Sequence, residues 1–215
     1  MPTTHGEQTD AINRDSQAYW NKRAATFTRG ATGDYERWLM ELLALEEGEE
    51  VLDMGCATGT LAVPLARAGH RVHGCDFAEA MLAILDERAA TEKLPVSSHL
   101  LAWEDDWEAA GLGVNSVDVA FASRSLMSGD VPSSVRKLDS AARSKAAVVV
   151  PASLLPSRDP RLLTYLGRAA RSPRVVRDVG RALAAMGRVP VYATTRTYRP
   201  MRFSSFDEAR SDLRR

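Results

Sequence analysis

Cysteine is scarce in this chain: Cys56 and Cys75 are the only two among 215 residues. No Cys-x-x-Cys pair occurs, and His5, His70, His73 and His99 form no recognisable ligand set, so no metal site is expected. Two cysteines at the ends of neighbouring strands could join only by straining the loop between them. Reduced thiols and a cytoplasmic setting are therefore expected. No run of about eighteen apolar residues is present, which excludes a membrane-spanning helix of the usual kind. The opening Met-Pro-Thr-Thr-His-Gly-Glu-Gln lacks the apolar core of a secretory signal. Net charge is also lacking, with 28 basic against 28 acidic residues, but the balance is uneven. Residues 150–215 carry fourteen arginines and five acids, and residues 1–149 fourteen bases and twenty-three acids. Such asymmetry suits an anionic partner or a charge-matched homodimer. The plainer and preferred account is a solvated, arginine-rich helix surface.

What is present is organised around residues 51–60, Val-Leu-Asp-Met-Gly-Cys-Ala-Thr-Gly-Thr. An apolar strand breaks at Gly55 and Gly59 and runs into a helix over residues 61–68 that Gly69 ends. A strand, a tight glycine turn and a helix start make a nucleotide-binding crevice. No lysine follows the glycines, so the turn is not a phosphate-cradling P-loop. Asp53 at its mouth repels phosphate and suits a cationic or amino group. About twenty residues on, the spacing a dinucleotide fingerprint would also require, residues 71–76 form a second strand that ends in Asp76. A carboxylate there can accept both hydroxyls of a ribose, and the flat ring of Phe77 is a neighbour for adenine.

This pattern resembles the class I S-adenosylmethionine-dependent methyltransferases of the small-molecule type, whose glycine motif reads acid-x-G-x-G-x-G. Ala57 stands where the family has its middle glycine and leaves slightly less room for a ligand. The resemblance spans residues 18–152. It implies an α/β, doubly wound, Rossmann-like and mostly parallel sheet with helices on both faces, and S-adenosylmethionine as cofactor. The run Tyr19-Trp20-Asn21-Lys22-Arg23 to Phe27 resembles the family's lid helix. Its aromatics would shield the sulfonium, and Arg23 would meet the methionine carboxylate. Asp53, Gly55, Cys56, Ala57 and Gly59 then form the cradle, with Asp76, Phe77 and Met81 beside it. After the third strand, Glu104 or Asp105 would accept from the adenine amino group and Trp103 would pack on the base. Ser123, ending the fourth strand, would touch the cofactor, and Arg124 or Ser125 would face the acceptor, with Tyr19 and Asp106 as further candidates. No catalytic residue is assigned, because a sulfonium is already activated and a general base is needed only for a nucleophile that holds its proton tightly.

The division expected is a single domain over residues 1–215: a disordered 1–12, cap helices in 13–45, the cofactor-binding core in 46–152, and arginine-rich helices with a sixth strand in 153–215. Helices are expected over residues 17–27 with Ser16 as cap, 34–45, 78–90, 132–143, 160–171, 173–187 and 203–213 with Ser204 or Ser205 as cap. Strands are expected over 96–101, 116–123, 146–150 and 189–198. The family's sheet has an antiparallel seventh strand between the fifth and sixth, and no apolar alternating run is left to make it. Either the sixth strand pairs directly with the fifth, or the seventh is missing from this chain or comes from a partner. The last helix, running to Arg215 without a glycine stop, favours the second reading.

Three rivals share part of this pattern. A nicotinamide-dependent oxidoreductase would use the same turn and ribose acid, but Asp53 sits where pyrophosphate must approach and no Tyr-x-x-x-Lys is present. A nucleic-acid-directed methyltransferase would use the C-terminal arginines. Ser123-Arg124-Ser125-Leu126, however, stands where a flipped base would need Asn/Asp-Pro-Pro-aromatic. A catalytically silent scaffold is opposed by the intact cofactor loop. The acceptor expected is a small molecule, with an anionic one among the candidates.

Overall fold

A computed structural model describes residues 16–27, 33–126, 129–152, 174–196 and 203–214. The elements, in chain order, are α1 (Gln17–Ala24), α2 (Asp34–Leu43), β1 (Glu50–Met54), α3 (Ala62–Arg67), β2 (Arg71–Asp76), α4 (Glu79–Glu92), β3 (Val96–Leu100), β4 (Val117–Ser123), α5 (Val131–Ala141), β5 (Ala142–Val149), α6 (Arg174–Ala185) and α7 (Phe206–Arg214). Five strands form one sheet in the order β3-β2-β1-β4-β5, and every neighbouring pair is parallel. This is the doubly wound α/β arrangement the sequence pattern implies. Parallel strands joined through helices need crossovers, and the helices then cover both faces.

Because both faces are covered, the central strands are apolar on both sides. Leu52 and Met54 of β1 join Cys75, Val117, Ala120, Ala122 and Leu138 in one core, which also takes Val179 and Ala182 of α6. Val51 joins Val72, Val119, Phe121, Leu65 and Leu85 in the other, closed by Leu39 and Leu43 of α2. Trp103 and Trp107, ring centroids 5.5 Å apart, complete the first core in the loop between β3 and β4. Among the described residues no helix is long and apolar enough to cross a membrane.

Several boundaries differ from expectation. Helix α1 stops at Ala24 rather than at residue 27, because Ala25 carries the chain into a turn closed by Arg23 and Ala24 carbonyls. Strand β5 starts at Ala142, four residues early and directly on the end of α5. Arg143 is drawn into the ladder by Asp118 (2.8 Å), and a register shift between Val117 and Val119 absorbs the offset. The expected sixth strand does not form over 189–196. Val189, Val191 and Tyr192 stand 94%, 92% and 78% exposed there, and Pro190 brings no N–H. Alternation satisfies one requirement of a strand, but a hydrogen-bonding neighbour is the other. Residues 206–214 are helical as expected, with Ser205 Oγ accepting the Glu208 N–H and the Glu208 carboxylate accepting from Ser204, a variant of the capping box. The expected disorder of 1–12 and the expected helix over 160–171 lie outside the described residues.

Candidate active site

The site is built where β1 meets a neighbour on each side. In the order 3-2-1-4-5, β2 lies to one side of β1 and β4 to the other, so the crossovers diverge at the carboxyl end of β1 and open a crevice. The turn after β1 closes on β2 through its backbone. Gly55 and Cys56 both donate N–H bonds to the Cys75 carbonyl, at 2.7 and 2.9 Å. Gly55 and Gly59 have φ near +80°, and Ala57, in the family's middle glycine position, is held at φ 49°. Gly55 must also be small: a Cβ there would lie 2.1 Å from the Ser125 Cβ. Gly74 is required for a related reason, since a Cβ would come within 3.2 Å of Cys56 Sγ and 2.8 Å of Leu85.

Asp76 ties this turn to the next. One carboxylate oxygen accepts the Ala57 N–H and the other the Ala78 N–H, each at 2.9 Å. The side chain is buried, and burial raises its pKa against the opposing pull of those amides. Asp53 is buried deeper, on the face of β1 that carries Val51. Burial, with the Asp53 and Asp76 carboxylates beside them, pushes both cysteine thiols above their ordinary range. Cys56 and Cys75 are free and buried, and shifts of this direction suit structural rather than reactive thiols.

Helix α1 docks on the segment after β2. Ser16 caps it, accepting the Tyr19 N–H at 3.2 Å. Gln17 donates to the Phe77 carbonyl (2.7 Å), and Asn21 accepts the Ala80 N–H (3.0 Å). Trp20 packs with Ala24, Ala57, Ala78 and Met81, and meets Tyr19 and Phe27 edge-on at 5.4 and 5.9 Å. Helix α1 is thus fastened beside the glycine turn by contacts to Phe77 and Ala80.

On the other side, Ser123, Arg124 and Ser125 alternate. The Ser123 hydroxyl lies 2.5 Å from that of Tyr35 on α2. Ser125 bonds through its hydroxyl to the Met54 carbonyl, and its own carbonyl accepts the Trp103 indole N–H at 2.9 Å. Arg124, exposed between the two serines, lies over the ring of the same Tyr35, 4.6 Å from its centroid.

Around the carboxyl ends of β1, β2 and β4 the structure brings together Trp20, Gly55, Cys56, Ala57, Gly59, Asp76, Phe77, Ser123, Arg124 and Ser125, while Asp53 lies buried within β1 behind the turn. Others fall elsewhere. Met81 of α4 is 1% exposed and packs beneath Trp20 and Ala57, and Trp103 is a core residue whose indole N–H is committed to the Ser125 carbonyl. Asp105 caps its own loop through the Ala102 N–H (2.7 Å) and Asp106 caps Ala109 (3.1 Å), while Glu104 is exposed. Arg23 is exposed on α1, and Tyr19 is half-buried beside Trp20. Tyr35 was not anticipated; its signal was a phenol in the first turn of an otherwise apolar helix face. Nor was the meeting of His73 and His99, whose ring nitrogens lie 3.0 Å apart with Glu50 2.9 Å from the other nitrogen of His73. A separate open cleft of about 910 Å³ lies between α1–α2 and α3–α4, lined by Thr58, Thr60 and Arg88 but by none of Asp76, Phe77, Ser123 and Arg124.

Residues 51–147 match the model of the methyltransferase domain family. An uncharacterized protein of Haemophilus influenzae is 32% identical over 134 residues, 59% of this chain and 47% of that protein. A ubiquinone biosynthesis O-methyltransferase of Hydrogenovibrio crunogenus is 39% identical over 59 residues, 27% of this chain and 24% of that protein. Among solved structures, geranyl diphosphate C-methyltransferase from Streptomyces coelicolor A3(2), in complex with Mg2+, geranyl diphosphate and S-adenosyl-L-homocysteine, superposes with a TM-score of 0.56 at 18% identity. That superposition covers 77% of this chain and 63% of the other and speaks for the shared fold. The chain spans about half, or less, of the length of these two curated relatives. Asp53, the glycine turn and Asp76 all fall inside the stretch that matches the methyltransferase domain family, and the fold is the one shared with the class I S-adenosylmethionine-dependent methyltransferases.

Proposed function

We propose that this chain binds S-adenosylmethionine across the carboxyl ends of β1, β2 and β4 and directs its methyl group to a small-molecule acceptor. The observation that carries the reading is the Asp76 carboxylate, which holds the glycine turn through Ala57 while ending the strand beside it. A carboxylate has about four acceptor sites, which the amides of Ala57 and Ala78 do not exhaust, so ribose hydroxyls can share it. Gly55 and Gly59 offer backbone without side chains, and Phe77 lies beside Asp76 as the adenine's neighbour. Of Glu104 and Asp105, Glu104 is the better partner for the adenine amino group, because Asp105 is spent on Ala102.

When bound, the sulfonium supplies an activated methyl group. The residues of this chain need only align the acceptor in line and exclude water, and such positioning is worth up to about 7–11 kcal/mol of barrier. Trp20 and Tyr19, on a helix fastened to the segment after β2, cover the cofactor side. Arg124 and Ser125 border the acceptor side. The nucleic-acid alternative draws no support from the C-terminal arginines that pair with acids, Arg177 with Asp178, Arg188 with Asp139 and Arg210 with Asp207.

Calorimetric titration with S-adenosylhomocysteine and, separately, NAD tests the reading. Binding of the first with none of the second is expected, followed by methyl transfer in a screen of small acceptors. Tight NAD binding with no S-adenosylhomocysteine binding reverses it.

A further inference from the structure

We infer that Arg124, carried on Tyr35, is an anion-recognising subsite for the acceptor, which therefore bears a carboxylate or phosphate group. The inference rests on the methyl-transfer reading for the word acceptor, but the anion site itself stands on geometry alone.

The first observation is where Arg124 lies. It follows the last residue of β4, at the end of the strand that flanks β1 opposite the Asp76 side of the crevice. Ser123 before it and Ser125 after it both turn inward, to Tyr35 and to the Met54 carbonyl. Arg124 is the exposed residue between two anchored ones.

The second is its backbone. Arg124 has φ 57°, a left-handed conformation that a long side chain rarely adopts, and it is kept there by its N–H bond to the Val149 carbonyl at 2.8 Å. Left-handed non-glycine residues persist only where the surroundings over-determine them, and they gather at ligand sites. Nothing about packing requires an arginine here, since glycine or asparagine would adopt this φ more readily.

The third is the state of the guanidinium. Elsewhere in the described chain, arginines near the sheet are spent on acids: Arg67 on Glu92 and Arg143 on Asp118. Arg124 has no acidic partner among the described residues. It lies over the Tyr35 ring, 4.6 Å from the centroid. Stacking fixes a guanidinium through its face and leaves its in-plane N–H donors free, the fork that takes a carboxylate or phosphate with two parallel bonds. The platform is itself fixed. Tyr35 is 9% exposed and its hydroxyl lies 2.5 Å from that of Ser123. Helix α2 is further clamped to β5, because Lys145 donates to the Leu43 and Ala44 carbonyls at 2.9 and 2.7 Å. Tyr35 is thus a positioning residue, acting through Arg124. The rival account is a stack that merely closes α2 onto the sheet. It explains the contact but not the strained backbone beneath an unpaired cation.

The test uses three probes with one ring, benzoate, phenyl phosphate and neutral benzamide, titrated into the full chain with and without saturating S-adenosylhomocysteine. At least one anion should bind about tenfold or more tighter than benzamide, the scale of a charge-assisted pair. Which anion is preferred tells carboxylate from phosphate. Arg124→Gly, which suits the local φ and so keeps the fold, should abolish that preference and leave S-adenosylhomocysteine affinity unchanged. Arg124→Lys should restore only part of it, because a point charge replaces the fork. Tyr35→Leu should weaken the anion probe alone, and Tyr35→Phe, which keeps the ring, should recover most of the loss. Equal affinity for anions and benzamide in the parent chain, or a preference that survives Arg124→Gly, overturns the inference. If the anion preference holds and S-adenosylhomocysteine fails to bind, the methyl-transfer reading falls and the anion site remains.

Discussion

The Asp76 carboxylate accepts the backbone N–H of Ala57 at 2.9 Å, across nineteen residues of chain, while its second oxygen holds Ala78. One side chain therefore sets both the glycine turn and the entry to α4. Asp76→Ala should weaken S-adenosylhomocysteine binding by about 1.5–3 kcal/mol, the range for hydrogen bonds to a charged group. Isothermal titration decides it, and an unchanged affinity would remove Asp76 from the site. Because burial raises the Asp76 pKa, affinity should also decline as pH falls toward that raised value, where the protonated carboxyl accepts fewer bonds.

Two substitutions in the same turn should act with opposite sign. Ala57→Gly relieves a left-handed alanine, worth about 1–2 kcal/mol, against an unfolded-state entropy cost of about 0.5–1 kcal/mol. A small net stabilisation follows. Gly55→Ala places a methyl 2.1 Å from Ser125 Cβ at φ 80° and should cost about 1–3 kcal/mol or more. Urea unfolding measures both, and a destabilised Ala57→Gly would mean the turn does not hold its left-handed shape.

Trp103→Phe should destabilise the chain by about 1–2 kcal/mol, since it keeps most of the buried ring but strips the Ser125 carbonyl of its indole donor. The effect should be accompanied by weaker cofactor binding, because Ser125 rests on the backbone of Met54 and Gly55. A variant that loses stability with cofactor affinity intact would separate Trp103 from the crevice.

In β3, burial chiefly, and His73 beside it, hold the His99 pKa below the ordinary imidazole value. A histidine depressed in the folded state contributes stability above about pH 6.5 and loses it as pH falls through the folded pKa. Glu50 faces His73, and Arg71 and Arg143 pair with Glu50, so the cluster is not simply cationic. His99→Asn should flatten the decline in melting temperature between about pH 7 and 5 relative to the parent chain. Parallel curves for the two proteins would show that His99 contributes nothing to acid sensitivity.

Much of this was legible in the amino-acid order because its causes are local. An apolar run broken by Gly55 and Gly59, an acid closing the next strand and caps such as Ser16 and Ser205 act within a few residues of themselves. Legibility failed where a partner decides. Residues 189–196 alternate like a strand yet have no strand beside them among the described residues. Met81 and Trp103 have the chemistry of ligand neighbours but sit where the cores need bulk. Tyr35 and Ser123 are 88 residues apart, and His73 and His99 are 26 apart, so only the parallel register brings either pair together.

The alternation at the end of β4 has an evolutionary consequence. Ser123 and Ser125 fasten the strand end to α2 and to β1 through their hydroxyls, while the side chain between them is exposed and rests on the face of the Tyr35 ring. A mutation at 124 can re-aim the crevice without disturbing the cradle beneath it, whereas insertion or loss of a single residue would exchange a buried hydroxyl for a guanidinium and undo both anchors. Substitution at 124 should therefore be tolerated where a change in the length of the segment is not.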